Sequence, residues 1–116
     1  MKVTHTTLDG RTTVEVEGDD QKSVVEQLSL FSEVFESEPC GKCSGNDTRF
    51  RVRKVQDGKK VHSYYERVCV KCGARLHYGQ HSEGGTLFPK RYDAEAKESI
   101  GKNGWLKFNK DTGKEE

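Results

Sequence analysis

The apolar pattern starts as an alternation, changes to a helical spacing, and then alternates again. Val14 and Val16 alternate with Glu15 and Glu17, which gives a strand with one apolar and one acidic face. Residues 2–8 and 11–17 flank Asp9-Gly10, a two-residue turn signal, and predict a β-hairpin. Threonines at 4, 6, 7, 12 and 13 suit its strands. A lone ribbon is marginal, so it is expected to pack on something. Gly18-Asp19-Asp20 ends it and offers capping oxygens. Val24, Leu28, Phe31 and Phe35 then recur at spacings of 4, 3 and 4, one face of a helix over about 20–36. Val25, Leu30 and Val34 widen the stripe. The stripe covers a sheet face or docks a partner helix. Pro39 cannot continue the helix.

Beyond Pro39 the alternation returns. Arg49, Arg51 and Arg53 fall on one side of a strand over 48–56, and Phe50 and Val52 on the other. Asp57-Gly58 turns the chain, 61–70 returns, and 75–81 supplies a third strand. The remainder carries Gly84-Gly85, Gly101 and Gly104 and a short apolar tag, Trp105-Leu106-Lys107-Phe108. Residues 109–116 read as frayed. The expected division is a hairpin and amphipathic helix over 1–38, a cysteine-bearing sheet over 39–81, and a partly flexible arm over 82–116 anchored by Trp105.

Composition sharpens this picture. Of 116 residues 31% are hydrophobic and 34% charged, so core material is scarce and the fold needs a staple. Twelve glycines, ten aromatics and four cysteines do not suit a disordered chain. A large enzyme with a deep enclosed pocket is excluded. No apolar run has transmembrane length, and 1–7 lacks a signal-peptide core. The expected location is the cytoplasm, where thiols stay reduced and four cysteines suit a metal better than disulfides.

The net charge of +1 hides an asymmetry. Residues 1–38 hold 3 basic and 9 acidic side chains, and 39–116 hold 17 and 10. The densest basic stretch, 49–91, has 11 against 3. A basic surface suits phosphate and an acidic one repels it. The two charged regions could instead neutralise each other, with the arginine row pairing with Glu15 and Glu17 or with the helix.

The chemistry concentrates in the cysteines. Cys40-Gly41-Lys42-Cys43 is followed after 25 residues by Cys69-Val70-Lys71-Cys72. Two C-x2-C turns joined by a stranded loop bring four thiolates into a tetrahedron, the donor set of one structural Zn2+. Gly41 and Gly73 suit tight turns, and Lys42 and Lys71 offset the charge of a zinc–tetrathiolate. A redox pair lacks its helix-start context. A zinc deaminase needs an upstream H-x-E, and the upstream histidine, His5, precedes Thr6-Thr7. An iron–sulfur cluster more often uses other spacings. Four thiolates leave no open coordination position, which argues against catalytic zinc.

This frame resembles the zinc ribbon family over residues 38–81. The resemblance implies a small antiparallel sheet around one ion, in a family whose members serve transcription, ribosomes, replication, recombination and protein adaptors. The tract Gly79-Gln80-His81, Gly85-Thr86-Leu87-Phe88-Pro89-Lys90-Arg91 and Asn103-Gly104-Trp105 is similar to small uncharacterised proteins encoded by bacterial viruses.

Several features point to nucleic acid. Arg49, Arg51 and Arg53 would stand about 6.5–7 Å apart along a strand, near twice the roughly 3.4 Å rise of one DNA strand. Aromatics interleave with the basic residues, and Tyr64 and Tyr78 are candidates to stack on unpaired bases. Lys59 and Lys60 sit at a hairpin tip, Arg75 on the third strand, and Lys90-Arg91 beside Tyr92. Phe50, Tyr65 and Trp105 are expected in the core. His77 and His81, four apart on a strand, stand about 13 Å apart, too far for one metal. No Ser–His–Asp order, G-K-[ST] loop or H-E-x-x-H is present, so no catalytic residues are expected. The expectation is a β-rich α+β zinc protein that binds single-stranded DNA or RNA in replication, recombination or transcription. The alternative is an adaptor or inhibitor that meets a host protein through the acidic residues 19–38. No membrane partner is expected, and the oligomeric state stays open.

Overall fold

A computed structural model describes all 116 residues as one helix and eleven strands. In chain order these are β1 (Lys2–Thr6), β2 (Thr13–Glu17), α1 (Gln21–Phe35), β3 (Thr48–Asp57), β4 (Lys60–Cys69), β5 (Arg75–Gln80) and β6 (Leu87–Pro89). Five two-residue strand pieces follow: β7 (Tyr92–Asp93), β8 (Glu98–Ser99), β9 (Trp105–Leu106), β10 (Phe108–Asn109) and β11 (Lys114–Glu115). The class is β-rich α+β, as the sequence predicts. The chain forms two compact units, Met1–Ser37 with Gln80–Phe88, and Glu38–Gly79 with Pro89–Glu116. No helix is long and apolar enough to cross a membrane.

In the first unit β1 and β2 pair antiparallel from Lys2↔Glu17 to Thr6↔Thr13. The connection is therefore the loop 7–12, wider than the two-residue turn that Asp9-Gly10 suggests. Buried Thr7 is the cause. Its hydroxyl donates to Asp9 Oδ1 at 2.6 Å and accepts the Thr12 N–H at 3.2 Å, which holds the loop open around it. Gly10 lies within that loop at φ +74°.

The helix starts where the capping oxygens predict. Asp20 is its N-cap and accepts the Ser23 N–H at 2.8 Å. Gln27 donates to the Glu17 carbonyl at 2.8 Å, and Glu36 accepts the Leu8 N–H at 2.9 Å, so both ends of α1 are tied to the hairpin. The buried stripe is rotated from the expected one. Val24 and Val34 are buried with Val16 of β2, while Phe35 is 38% exposed and stacks on Phe31 with ring centroids 5.0 Å apart. The helix ends at Phe35, before Pro39 can act, because Glu36 adopts an extended backbone, φ −63° and ψ 150°.

The second unit holds an antiparallel sheet ordered β3-β4-β5-β9. β3 and β4 pair along ten residues each, from Thr48↔Cys69 to Asp57↔Lys60. Their turn is Gly58-Lys59, with Gly58 at φ +60° in the first turn position, where a type II′ turn demands glycine. β5 pairs with β4 only at Glu66, Arg67 and Val68, so the distal half of the β3–β4 hairpin runs past β5. One face of the sheet carries the core: Leu76 and Trp105 are fully covered, with Tyr78 and Arg67 beside them. Phe50, expected in the core, is 45% exposed and lies under the Arg67 guanidinium, 4.6 Å from the ring centroid. It sits on β3, the sheet edge, where no further strand covers it.

Trp105 does anchor the following segment. Its indole N–H donates to Glu38 Oε2 at 2.6 Å, and Arg91 grips the same carboxylate with two nitrogens at 2.5 and 3.0 Å. The last residues are ordered rather than frayed. β10 and β11 pair as Phe108↔Glu115 and Asn109↔Lys114, and Lys107 and Glu116 exchange backbone hydrogen bonds at 3.0 Å.

Candidate metal centre and cationic sheet face

Two turns of the same design carry the cysteines. In the first, Cys40 N–H donates to the Gly45 carbonyl at 2.8 Å and Ser44 N–H to the Cys40 carbonyl at 2.9 Å. In the second, Cys69 N–H donates to the Ala74 carbonyl at 2.9 Å and Gly73 N–H to the Cys69 carbonyl at 2.9 Å. Ser44 (φ 61°) and Gly73 (φ 81°) occupy the equivalent left-handed position. This curl lets both sulfurs of each C-x2-C face one point. The first turn precedes β3 and the second joins β4 to β5, so the hairpin register sets the distance between them.

The four sulfurs lie within 4.8 Å of one another. Cys40 Sγ is 3.6 Å from Cys72 Sγ, and Cys43 Sγ is 3.6 Å from Cys69 Sγ. These separations exceed a disulfide bond of about 2.05 Å. They match the edge of about 3.8 Å that a zinc–sulfur distance of about 2.3 Å gives a tetrahedron. Backbone N–H groups already point at the sulfurs: Lys42 and Cys43 at Cys40, and Gly45 at Cys43, at 3.3–3.5 Å. A Cβ on Gly45 would stand 3.2 Å from Cys43 Sγ, so a larger residue there would crowd the donors.

The thiols respond unequally. Burial pushes Cys72 up to about 12, with the neighbouring thiols acting in the same sense. At Cys69 burial also opposes ionisation, but N–H groups of Cys72 and Lys71 and the Cys43 thiol outweigh it, and the thiol falls to about 7. Four adjacent thiols resist ionising together, and a central divalent cation removes that resistance. The donor set, spacing and burial fit one metal ion, and zinc suits four sulfurs best.

The opposite sheet face carries a charged cluster. Register places Arg51 opposite Glu66 and Glu66 opposite His77 across three strands. Glu66 is fully buried. Its Oε1 accepts Arg51 Nε at 2.7 Å, with Arg51 Nη2 also bonded, and lies 3.7 Å from Arg53 Nε and 3.9 Å from Arg75 Nη1. Its Oε2 faces His77 Nδ1 at 3.3 Å. The far side of His77 is held by Glu115, whose Oε2 is 2.8 Å from Nε2, and Glu115 Oε1 sits 2.5 Å from Arg75 Nη2. Three guanidiniums thus meet two carboxylates.

The other basic candidates spread apart. Arg53 lies over the Tyr64 ring at 4.8 Å. Arg49 pairs with Asp47 at 3.4 Å. Lys59 and Lys60 are exposed at the hairpin tip. Arg91 is taken up by Glu38 and the Asn103 carbonyl. Tyr78 is buried, and burial raises its hydroxyl to about 12. Where β4 and β5 part, Arg53, Tyr64, Tyr65, Tyr78, Lys90 and Leu106 help line a cleft of about 320 Å³. The arginine row does find intramolecular carboxylates, but they are Asp47 and Glu66 rather than Glu15 and Glu17.

Glu66, His77 and Glu115 are the additions to the sequence-predicted set. Glu66 had a usable signal: a turn centred on Gly58-Lys59 forces Arg51 opposite Glu66. Glu115 had none, since its place depends on the β10–β11 hairpin. Comparison with protein-family models, with curated proteins and with solved structures gave no match, so the thiol site and the sheet face carry the functional reading by themselves.

Proposed function

We propose that the chain is a zinc ribbon protein that binds single-stranded nucleic acid through the cationic face of its sheet. The observation that carries the reading is the cleft between β4 and β5. Arg53 and Tyr64, 40% exposed by side chain and 44% exposed respectively, stack at its edge, with Lys90 on its lining. Aromatic rings beside cations accept an unpaired base and its phosphate without demanding a sequence. The hairpin tip adds Lys59 and Lys60, and Lys54 lies along the exposed part of β3. The zinc ion would fix the two turns from which β3 and β5 start, and so hold the face in shape.

The test is a titration of the protein into labelled single- and double-stranded oligonucleotides at two salt concentrations. Micromolar single-strand binding that weakens steeply with salt supports the reading. Absence of binding at low salt refutes it. Arg53→Ala with Tyr64→Ala should weaken single-strand binding by about tenfold or more at unchanged zinc content.

A second reading draws on α1, where Val25 is 61% and Leu30 42% exposed among Glu26 and Glu33. Exposed apolar side chains among carboxylates would fit a basic protein partner, and this is the reading left if no oligonucleotide binds.

A further inference from the structure

Arg75 and His77 converge on a single carboxylate, that of Glu115, from the outer side of β5. Arg75 Nη2 meets one oxygen at 2.5 Å and His77 Nε2 the other at 2.8 Å. Behind them sits Glu66, fully buried, 3.3 Å from His77 Nδ1 and 3.9 Å from Arg75 Nη1. Glu66 therefore holds both donors facing outward, and it leaves the guanidiniums of Arg51, Arg53 and Arg75 with an excess of positive charge. One further anion with two oxygens lowers that excess.

The group that supplies it, Glu115 on β11, stands on a short hairpin, closed by two residue pairs and the Lys107–Glu116 backbone exchange. Phe108 on β10 is 53% exposed. A phosphodiester carries the same single charge as a carboxylate and also offers two unsubstituted oxygens, so it can replace Glu115 on Arg75 and His77 without changing the charge of the cluster. We propose that Arg75 and His77 form a phosphate-binding site for the bound strand, and that Glu115 occupies this site in the free protein as an internal competitor. This rests on the nucleic-acid reading, and it adds a subsite and a cost to binding: the strand must displace the β11 carboxylate first.

Two probes separate the inference from that reading. Oligothymidylate binding is measured for the parent protein, Glu115→Gln and Glu116→Gln. Removing the competitor should tighten binding about three- to tenfold, because the competent fraction rises. Glu116→Gln makes the same change in net charge one residue away and should stay within about twofold. Equal effects of the two substitutions, or none from Glu115→Gln, overturn the inference while leaving oligonucleotide binding itself standing. The second probe is inorganic pyrophosphate, followed through the His77 imidazole and Glu115 amide resonances of the parent protein. It needs no nucleic acid. Saturable shifts at both residues, lost in Arg75→Gln, support the site even if oligonucleotides fail to bind. No shift at His77 overturns it.

Discussion

Glu66→Gln should destabilise the second unit by about 2–3 kcal/mol. The substitution keeps the shape of the side chain and removes its charge. The bond from Arg51 Nε to Oε1 at 2.7 Å falls from a charge-assisted to a neutral one, a loss of about 1–1.5 kcal/mol. Arg53, Arg75 and His77 lie at 3.3–3.9 Å and lose an attraction. Their side chains are 23–40% exposed, so solvent screening reduces each to about 0.3–0.5 kcal/mol rather than the several expected inside a dry core. Trp105 is the single tryptophan, is fully buried, and stands on β9 of the same sheet, which makes its fluorescence the natural probe. With a urea slope of about 1 kcal/mol/M for a unit this small, the midpoint should fall by about 2–3 M. Glu98→Gln, on an exposed strand piece, should move it by less than about 0.5 M. A Glu66→Gln midpoint within about 0.5 M of the parent, at unchanged slope, would refute the idea that this carboxylate organises the face.

Three further outcomes follow from local geometry. Gly41→Ala should cost about 2 kcal/mol in the same urea assay, because its Cβ would stand 2.6 Å from Trp105 Cδ1 and 2.7 Å from the Lys102 carbonyl; a neutral result would contradict the close seat of Trp105 on the first cysteine turn. Asp20→Ala should remove the N-cap of α1 and cost about 1 kcal/mol, read as faster amide exchange at Ser23 and the first helical turn. Acid should loosen the first unit. Hydrogen bonds from Thr7 and from the Arg11 N–H hold Asp9 below its ordinary 3.8, and N–H groups of Leu8 and Ser37 hold Glu36 below its ordinary 4.5. Both lowered carboxyls favour the folded state when ionised, so their contribution is complete above those ordinary values and is lost as pH falls through the lower folded ones. Loss of Leu8 amide protection with a midpoint at or above 4.5 would contradict this.

Elements set by local chemistry were legible in the sequence. The cap at Asp20, the C-x2-C turns and the β3–β4 hairpin all depend on residues close in sequence, and each formed near its expected place. The helix face was legible only to within a rotation, because Val34 and Phe35 are adjacent and packing decides which turns inward. The Asp9-Gly10 loop widened because the Thr7 hydroxyl competes with the tight turn. The grouping of 80–88 with the hairpin and helix, and the return of Glu115 onto β5, are long-range pairings that no local pattern encodes. In the candidate site the thiols could be read from spacing. The charge cluster could be read only in part: beyond the β3 arginines that the hairpin register sets beside it, the partners of Glu66 come from β5, and Glu115 is added from β11.

The four-thiol cluster joins the two turns of the second unit, and zinc content tests it most directly. Protein purified without added metal should carry one zinc ion per four thiols, unreactive towards thiol reagents until a chelator is added. Chelation should then expose Trp105 and release the β3-β4-β5-β9 sheet, since metal-binding energy in such a site is folding energy. Protein free of metal, with freely titrating thiols and a Trp105 signal that chelator does not change, would contradict the centre and the sheet built on it.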